Sequence, residues 1–360
     1  MQRIQSLDIL RGLIMVLMAI DHVRVYSGMP AGGQDYAIFF TRWVTHFCAP
    51  GFAFFAGTAA FMYGLKVANT SELARYLLIR GLMLIVLEIT VIRLFWTFDL
   101  NLSEFMLAGV IWMLGWCMVL LSVFVRFEAR TVGIIGLCIV FLQQLFALPS
   151  VILPDSLKPY WEFIYTATGQ GPEWIAILYV IVPWVGVMMA GYGFGNILLS
   201  AKRDRLCRII GLSSIAAFII AGSILAMQTD GPTPFIMKLL NQRKYPASQL
   251  YLLMTLGPLI ALIPFVERMK GAVADFFRVI GRVPFFYYLA HILLIHLSAL
   301  VVNYFLFGAV HHEWYTAAPF ANVPEENRWG LPLLYLVFVI DVPILYLLCR
   351  WYTPYKLKWL

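Results

Sequence analysis

The sequence predicts an all-α, polytopic membrane protein of about ten transmembrane helices with both termini in the cytoplasm. Three observations carry this. Apolar side chains make up 62% of the chain and charged ones 12%, where soluble domains lie near half and a quarter. Mean hydropathy is +0.83. Apolar runs near the ~20 residues that cross a bilayer recur along the whole length.

The first run, 7–27, is the least ordinary, because Arg11, Asp21 and His22 interrupt it. A signal-peptide core would not carry them, so no cleavable leader is expected. The runs 46–66, 73–95 and 104–125 follow, with Glu88 in mid-helix in the second of these. Next come 131–148 and 174–198. The latter ends in Gly191-Tyr192-Gly193-Phe194-Gly195, which has no preceding strand and reads as small-residue helix packing rather than a phosphate loop. The last four are 206–227, 249–266, 284–306 and 331–350, with His291 and His296 in the third and Asp341 in the fourth. No repeat, low-complexity tract or soluble segment interrupts the series, so residues 1–360 form a single transmembrane domain.

Alternate loops hold 17 and 8 Lys and Arg residues. Positive charge collects on the cytoplasmic side, which places both termini there. It also accounts for the net charge of +7 without invoking nucleic acid. The longer outer loops, 28–45, 149–173, 228–248 and 307–330, are rich in Pro, Gly and aromatic residues and suit capping a site. The five cysteines form no CxxC spacing and read as small buried hydrophobes. No metal-ligand spacing is convincing, and His311-His312-Glu313 reads as incidental solvated residues.

Arg11 and His22 are the pair with most chemical content. Eleven helical steps leave them only about 20° apart in phase and roughly 16 Å apart along one face. Ionisable groups in a spanning helix usually face the protein interior or a wet cavity. Asp8 is at i, i+3 from Arg11, and Ser6 is a candidate cap for this helix. Asp8 and Arg11 form either an interfacial ion pair or part of an anionic cofactor site. His22 is a candidate base or relay, or else a polar residue hydrogen-bonded between helices. Asp21 diverges from it by about 100°, so Arg24, at i+3, is the expected partner of Asp21. Arg42 and His46 share a face at i, i+4, as a site at the outer mouth or as an interfacial cap. Asp341 is expected to be a structural counter-ion; Glu88 is either that or a relay member. His291 and His296 point about 140° apart, so one of them faces the cavity and a shared metal is not expected.

The pattern Asp8-x-x-Arg11-x10-His22 resembles the first helix of the acyltransferase-3 membrane family. Thr41-Arg42-Trp43-Val44-Thr45-His46-Phe47-Cys48-Ala49-Pro50 and Phe54-Phe55-Ala56-Gly57-Thr58 resemble the heparan-α-glucosaminide N-acetyltransferase catalytic-domain family. So do Lys244-Tyr245-Pro246-x-Ser248, Leu252-Leu253-Met254-Thr255-Leu256-Gly257-Pro258 and Gly281-Arg282-Val283-Pro284-Phe285. The resemblance implies transfer of an acetyl group from cytoplasmic acetyl-CoA to an amine or hydroxyl, as on a sugar, at the outer face. The lysosomal branch has its catalytic His in the loop after the first helix. Residues 23–45 here contain no His, which leaves His22 or His46 as the base.

The expected site is therefore His22, Asp21 and His46 for catalysis and Arg11 and Asp8 for the cofactor. Arg42, Lys244, Tyr245, Ser248 and His291 are expected at the acceptor, with no metal. Expected partners are acetyl-CoA as co-substrate, a saccharide or amino-sugar acceptor, the lipid bilayer of a bacterial cytoplasmic membrane, and a second copy of the chain. A secondary transporter or proton-coupled flippase is the alternative, since such pathways also use intramembrane His, Arg, Glu and Asp. No inverted repeat or pair of broken helices supports it.

Overall fold

The computed structural model describes residues 4–32, 35–101, 105–166 and 171–358. Arg3, one of the 17 basic residues expected on the cytoplasmic side, and Gly169-Gln170 of the 149–173 loop lie outside them. Of Leu357 and Lys358 only the backbone is described.

The helices are α1 (Gln5–Tyr26), α2 (Tyr36–Trp43), α3 (Cys48–Gly64), α4 (Thr70–Leu87), α5 (Arg93–Thr97), α6 (Val110–Phe124), α7 (Ala129–Phe141), α8 (Pro149–Ile152), α9 (Lys158–Trp161), α10 (Trp184–Leu199), α11 (Arg203–Gln228), α12 (Phe235–Leu240), α13 (Gln249–Val266), α14 (Ala272–Arg282), α15 (Pro284–Phe307) and α16 (Leu331–Lys358). The all-α expectation needs one small amendment. Two short strands, β1 (Leu107–Ala108) and β2 (Ala176–Ile177), pair in parallel just before α6 and α10.

Each of the ten predicted runs contains a helix, but they are not ten equivalent spans. Among the described residues five helices are long and apolar enough to cross a membrane, or six if the pair Ala129–Phe141 and Gln143–Ile152, bent by 64°, is one span. Two runs start late: α6 and α10 keep 15 and 16 residues, because the strands take the preceding segments. The run at 73–95 passes from α4 through a π-helical turn, Glu88–Ile92, into α5. Residues 267–283, expected as loop, contain α14, whose apolar face lies on α1.

α1 is the hub. It packs against α3, α13, α14, α15 and α16. Close approach depends on absent side chains: a Cβ at Gly281 would sit 1.8 Å from the Asp8 carbonyl oxygen, and one at Gly12 would sit 1.9 Å from that of Phe277. The Gly191–Gly195 stretch behaves as expected for packing. Gly191 meets the Phe54 backbone, and Gly193 meets Gly133. Ser6 is not the cap of α1. The helix starts one residue earlier, and the Ser6 N–H donates to Glu267 Oε2 at 2.8 Å. A carboxylate from the end of α13 thus satisfies the positive end of α1. The five cysteines are free; four are buried as expected, whereas Cys138 is exposed.

Candidate active site

α1 carries two polar stations separated by apolar turns. At the first, the Arg11 guanidinium donates to the Phe55 carbonyl at 2.6 Å, and its Nη1 lies 3.9 Å from Asp8 Oδ1. Asp8 is buried and Arg11 only partly so. Arg11 and Met15 form one wall of a cavity of about 510 Å³ between α1, α3, α4, α6 and α15. The remaining walls are mostly apolar. At one end Tyr63 stacks on Tyr76 at 4.0 Å, and Arg80 lies 4.6 Å from the Tyr76 ring centre. Tyr288 also lines this cavity.

The second station is His22. Its Nδ1 lies 2.6 Å from His291 Nε2, and His291 Nδ1 lies 3.0 Å from the Tyr287 carbonyl oxygen. Trp96 sets its ring edge-on to His22 at 4.7 Å, and Tyr288 does so at 6.5 Å. The Trp96 carbonyl accepts from Tyr26 at 2.7 Å, and Tyr288 sets its ring edge-on to His291 at 5.3 Å. Tyr288 thus stands between the cavity and the imidazole pair. Sequence reasoning put His291 with the acceptor residues, whereas the structure puts it on His22. It missed Trp96 and Tyr288 altogether. No local pattern joins these side chains, which come from α5 and α15.

Asp21 pairs with Arg24 at 2.9 Å, as its spacing predicts, rather than with His22. Arg24 also donates to the Met29 carbonyl. From the 241–248 segment Lys244 reaches inward, with Nζ 5.8 Å from the Tyr179 ring centre and 5.2 Å from that of Tyr245. Burial disfavours the Lys244 cation, but facing Tyr245, Tyr251 and Asp21 outweighs that and holds the ammonium above its ordinary pKa. Its charge acts on Asp21, His22 and His46.

The remaining expected residues sit further out. His46 is buried, with Nδ1 3.2 and 3.1 Å from the Arg42 and Trp43 carbonyls, and its own carbonyl accepts from Tyr251 at 2.8 Å. That geometry ties α2 to α13. Arg42 donates to the Ala31 carbonyl at the surface. Ser248 caps α13 by accepting from the Tyr251 N–H. Tyr245 is the member of this group that pairs with Lys244.

Glu88 and Asp341 part company. Glu88, on the π-helical turn, accepts backbone N–H groups of Gly109, Ile111 and Trp112 and so caps the start of α6. Asp341 accepts from Ser298 at 2.9 Å. Among the described residues it has no ion pair, so the expected counter-ion role is not observed. His296 points away from His22, bonding the Phe95 carbonyl and stacking on Phe98. His311 is more ordered than expected, stacked on Trp314 at 4.1 Å and bonded to Glu313. Among the described residues no group of three or more His, Cys, Asp or Glu is placed to hold a metal ion.

An imidazole of this kind can take and return a proton, and a neighbouring apolar cavity ending in arginines and tyrosines suits a long acyl carrier with an anionic head. The family comparison points the same way. Residues 3–227 match the model of the family described as heparan-alpha-glucosaminide N-acetyltransferase, catalytic. The match covers more than half of the chain, and the chain belongs to this family of transmembrane acetyltransferases. No curated protein matches it. The matched stretch contains Arg11, His22, Glu88 and Trp96; Lys244, Tyr288 and His291 lie beyond it.

Proposed function

We propose that this acetyltransferase takes its acetyl group from cytoplasmic acetyl-CoA and delivers it to an amine or hydroxyl of a saccharide on the opposite face, with His22 as general base. The observation that carries the reading is the alignment along α1: Arg11 and the cavity, then Tyr288, then His22 beside His291. The 17-to-8 division of basic residues supports cytoplasmic termini, which puts the Arg11 end of α1 at the donor side. On this reading all ten apolar runs cross the bilayer. The charged α1 is sheltered by protein rather than lipid, and α6 and α10 cross with help from the strand-paired segments before them.

The nucleotide phosphates would lie at the cytoplasmic mouth near Arg80 and Arg11, with the adenine near Tyr63 and Tyr76. The pantetheine arm would follow the apolar walls. The roughly 16 Å rise from Arg11 to His22 is about the length of that arm. The acceptor would enter from the Lys244 side, where Asp21, Lys244 and Tyr245 offer polar contacts. Its N–H or O–H proton goes to His22 as the heteroatom bonds to the acetyl carbon. The carbon–sulfur bond then breaks, the electron pair leaves on sulfur, and the thiolate takes the proton back from His22.

The test is purified protein in detergent with radiolabelled acetyl-CoA and a panel of acceptors: an α-glucosaminide, a neutral oligosaccharide and a uronic acid-containing oligosaccharide. Label on at least one saccharide, lost on denaturation of the protein, is the expected result. Acetyl-CoA binding without transfer to any acceptor would count against it and favour a transporter.

A further inference from the structure

Two imidazoles from positions 269 apart in sequence meet edge to edge. The His22 and His291 ring planes differ by 19°, with centroids 4.7 Å apart and His22 Nδ1 2.6 Å from His291 Nε2. The centroid separation is about the N···N distance plus two ring radii. The contact therefore runs in the shared plane of the rings, as a hydrogen bond does, and not face over face.

The far nitrogen of His291 sets the direction of this bond. His291 Nδ1 lies 3.0 Å from the Tyr287 carbonyl oxygen. A carbonyl only accepts, so Nδ1 carries the proton, and Nε2 of the neutral ring is bare. A bare Nε2 accepts, which makes His22 Nδ1 the donor. A neutral His22 then has its lone pair on Nε2. The order of protons runs from a fixed backbone oxygen through two rings to one free nitrogen. Exposure agrees: His291 is fully buried, whereas His22 is half-buried. Asp21 does not compete for this role, because its carboxylate is bonded to Arg24.

Resting on the reading of His22 as base, we propose that His291 is its positioning residue: it holds His22 in the Nδ1–H tautomer, so that Nε2 faces the acceptor. A neutral ring fills the place that a carboxylate fills in a Ser-His-Asp triad. As the acceptor attacks, its proton moves to His22 Nε2, and the Nδ1–H bond to His291 becomes charge-assisted. His22 Nε2 then returns the proton to the departing sulfur. His291 keeps its own proton on Nδ1 throughout, so no further donor or acceptor is needed.

The test uses full-length protein with ¹⁵N-labelled histidine, together with His22→Ala, His291→Leu and His291→Gln. Turnover is followed with labelled acetyl-CoA and methyl α-glucosaminide, and with water as acceptor through acetyl-CoA hydrolysis. In unmutated protein the resonances that vanish in His22→Ala should report a protonated Nδ1 and a bare Nε2. His291→Leu should scramble that tautomer and lower kcat on the order of 10²-fold, with KM for acetyl-CoA unchanged. His291→Gln, whose amide oxygen can accept from His22 Nδ1, should restore the tautomer and bring kcat back to within about tenfold.

A protonated Nε2 on His22 in unmutated protein would overturn the proposal. So would wild-type tautomer and turnover in His291→Leu. The tautomer is read without any substitution at position 291, so a poorly folded Leu variant leaves the test standing. Full turnover in His22→Ala would overturn the base reading itself. Loss in His22→Ala without loss in His291→Leu would overturn the positioning role alone.

Discussion

α1 and α11 are both long enough to cross a bilayer, yet they are built on opposite terms. α11 is the easier one to find: its best window has a mean hydropathy of 2.3, but only 5 of its 26 residues are buried. α1 carries Asp8, Arg11, Asp21, His22 and Arg24, and 14 of its 22 residues are buried. The difference teaches that hydropathy picks out the helix with an exposed apolar surface, whereas buried charge picks out the helix to which the proposal assigns the chemistry. Each ionisable side chain named on α1 has a partner: Asp8 with Arg11, Asp21 with Arg24, and the imidazole of His22 with that of His291. α11 has nothing comparable along its apolar length.

Substitutions at four positions would break or sharpen this contrast. The largest effect is expected at His22. His22→Ala should lower kcat roughly 10²–10⁴-fold, the usual worth of a general base, while acetyl-CoA still binds. Steady-state kinetics beside equilibrium acetyl-CoA binding checks both halves.

The next effect is structural. Gly281→Leu should force α14 off α1, because even a Cβ at this position overlaps the Asp8 carbonyl. A cost of about 1–3 kcal/mol or more is expected, read as a lower midpoint of thermal aggregation in detergent.

Arg11→Met should raise KM for acetyl-CoA about tenfold, in line with a charge-assisted hydrogen bond of ~1.5 kcal/mol. Arg11→Lys should recover only part of this, because Lys lacks the planar fork that reaches both the Phe55 carbonyl and Asp8.

The smallest effect belongs to α11. Ile220 is 64% exposed, and Ile220→Val should leave stability within about 0.5 kcal/mol and turnover unchanged. An α11 substitution as damaging as those on α1 would erase the contrast.

How much of this was legible in the sequence follows the same division. The apolar runs located all ten main helices, because period and hydropathy are local properties. Arg11 and His22 on one face of α1 were legible for the same reason, as was the Asp21–Arg24 pair at i, i+3. The π-helical turn at Glu88 was not. There Glu88 faces the N–H groups at the start of α6, a contact between separate helices that no local pattern announces. The role of Glu267 at the start of α1 was hidden likewise, as was α14, whose basic residues made it read as loop. The pairing of His22 with His291 was out of reach for the plainest reason. Helical phase separates His291 from His296, but it says nothing about which helix either one will face.

The central claim is that the acetyl group passes along α1 from the Arg11 end to the His22 end. Proteoliposomes containing the protein in one orientation test it most directly. Labelled acetyl-CoA is supplied on one side only and a membrane-impermeant α-glucosaminide on the other. Acetylated acceptor should form when acetyl-CoA is on the side of the two termini and the acceptor is opposite, and His22→Ala should abolish it. Product formed only when both substrates share one side would contradict the account.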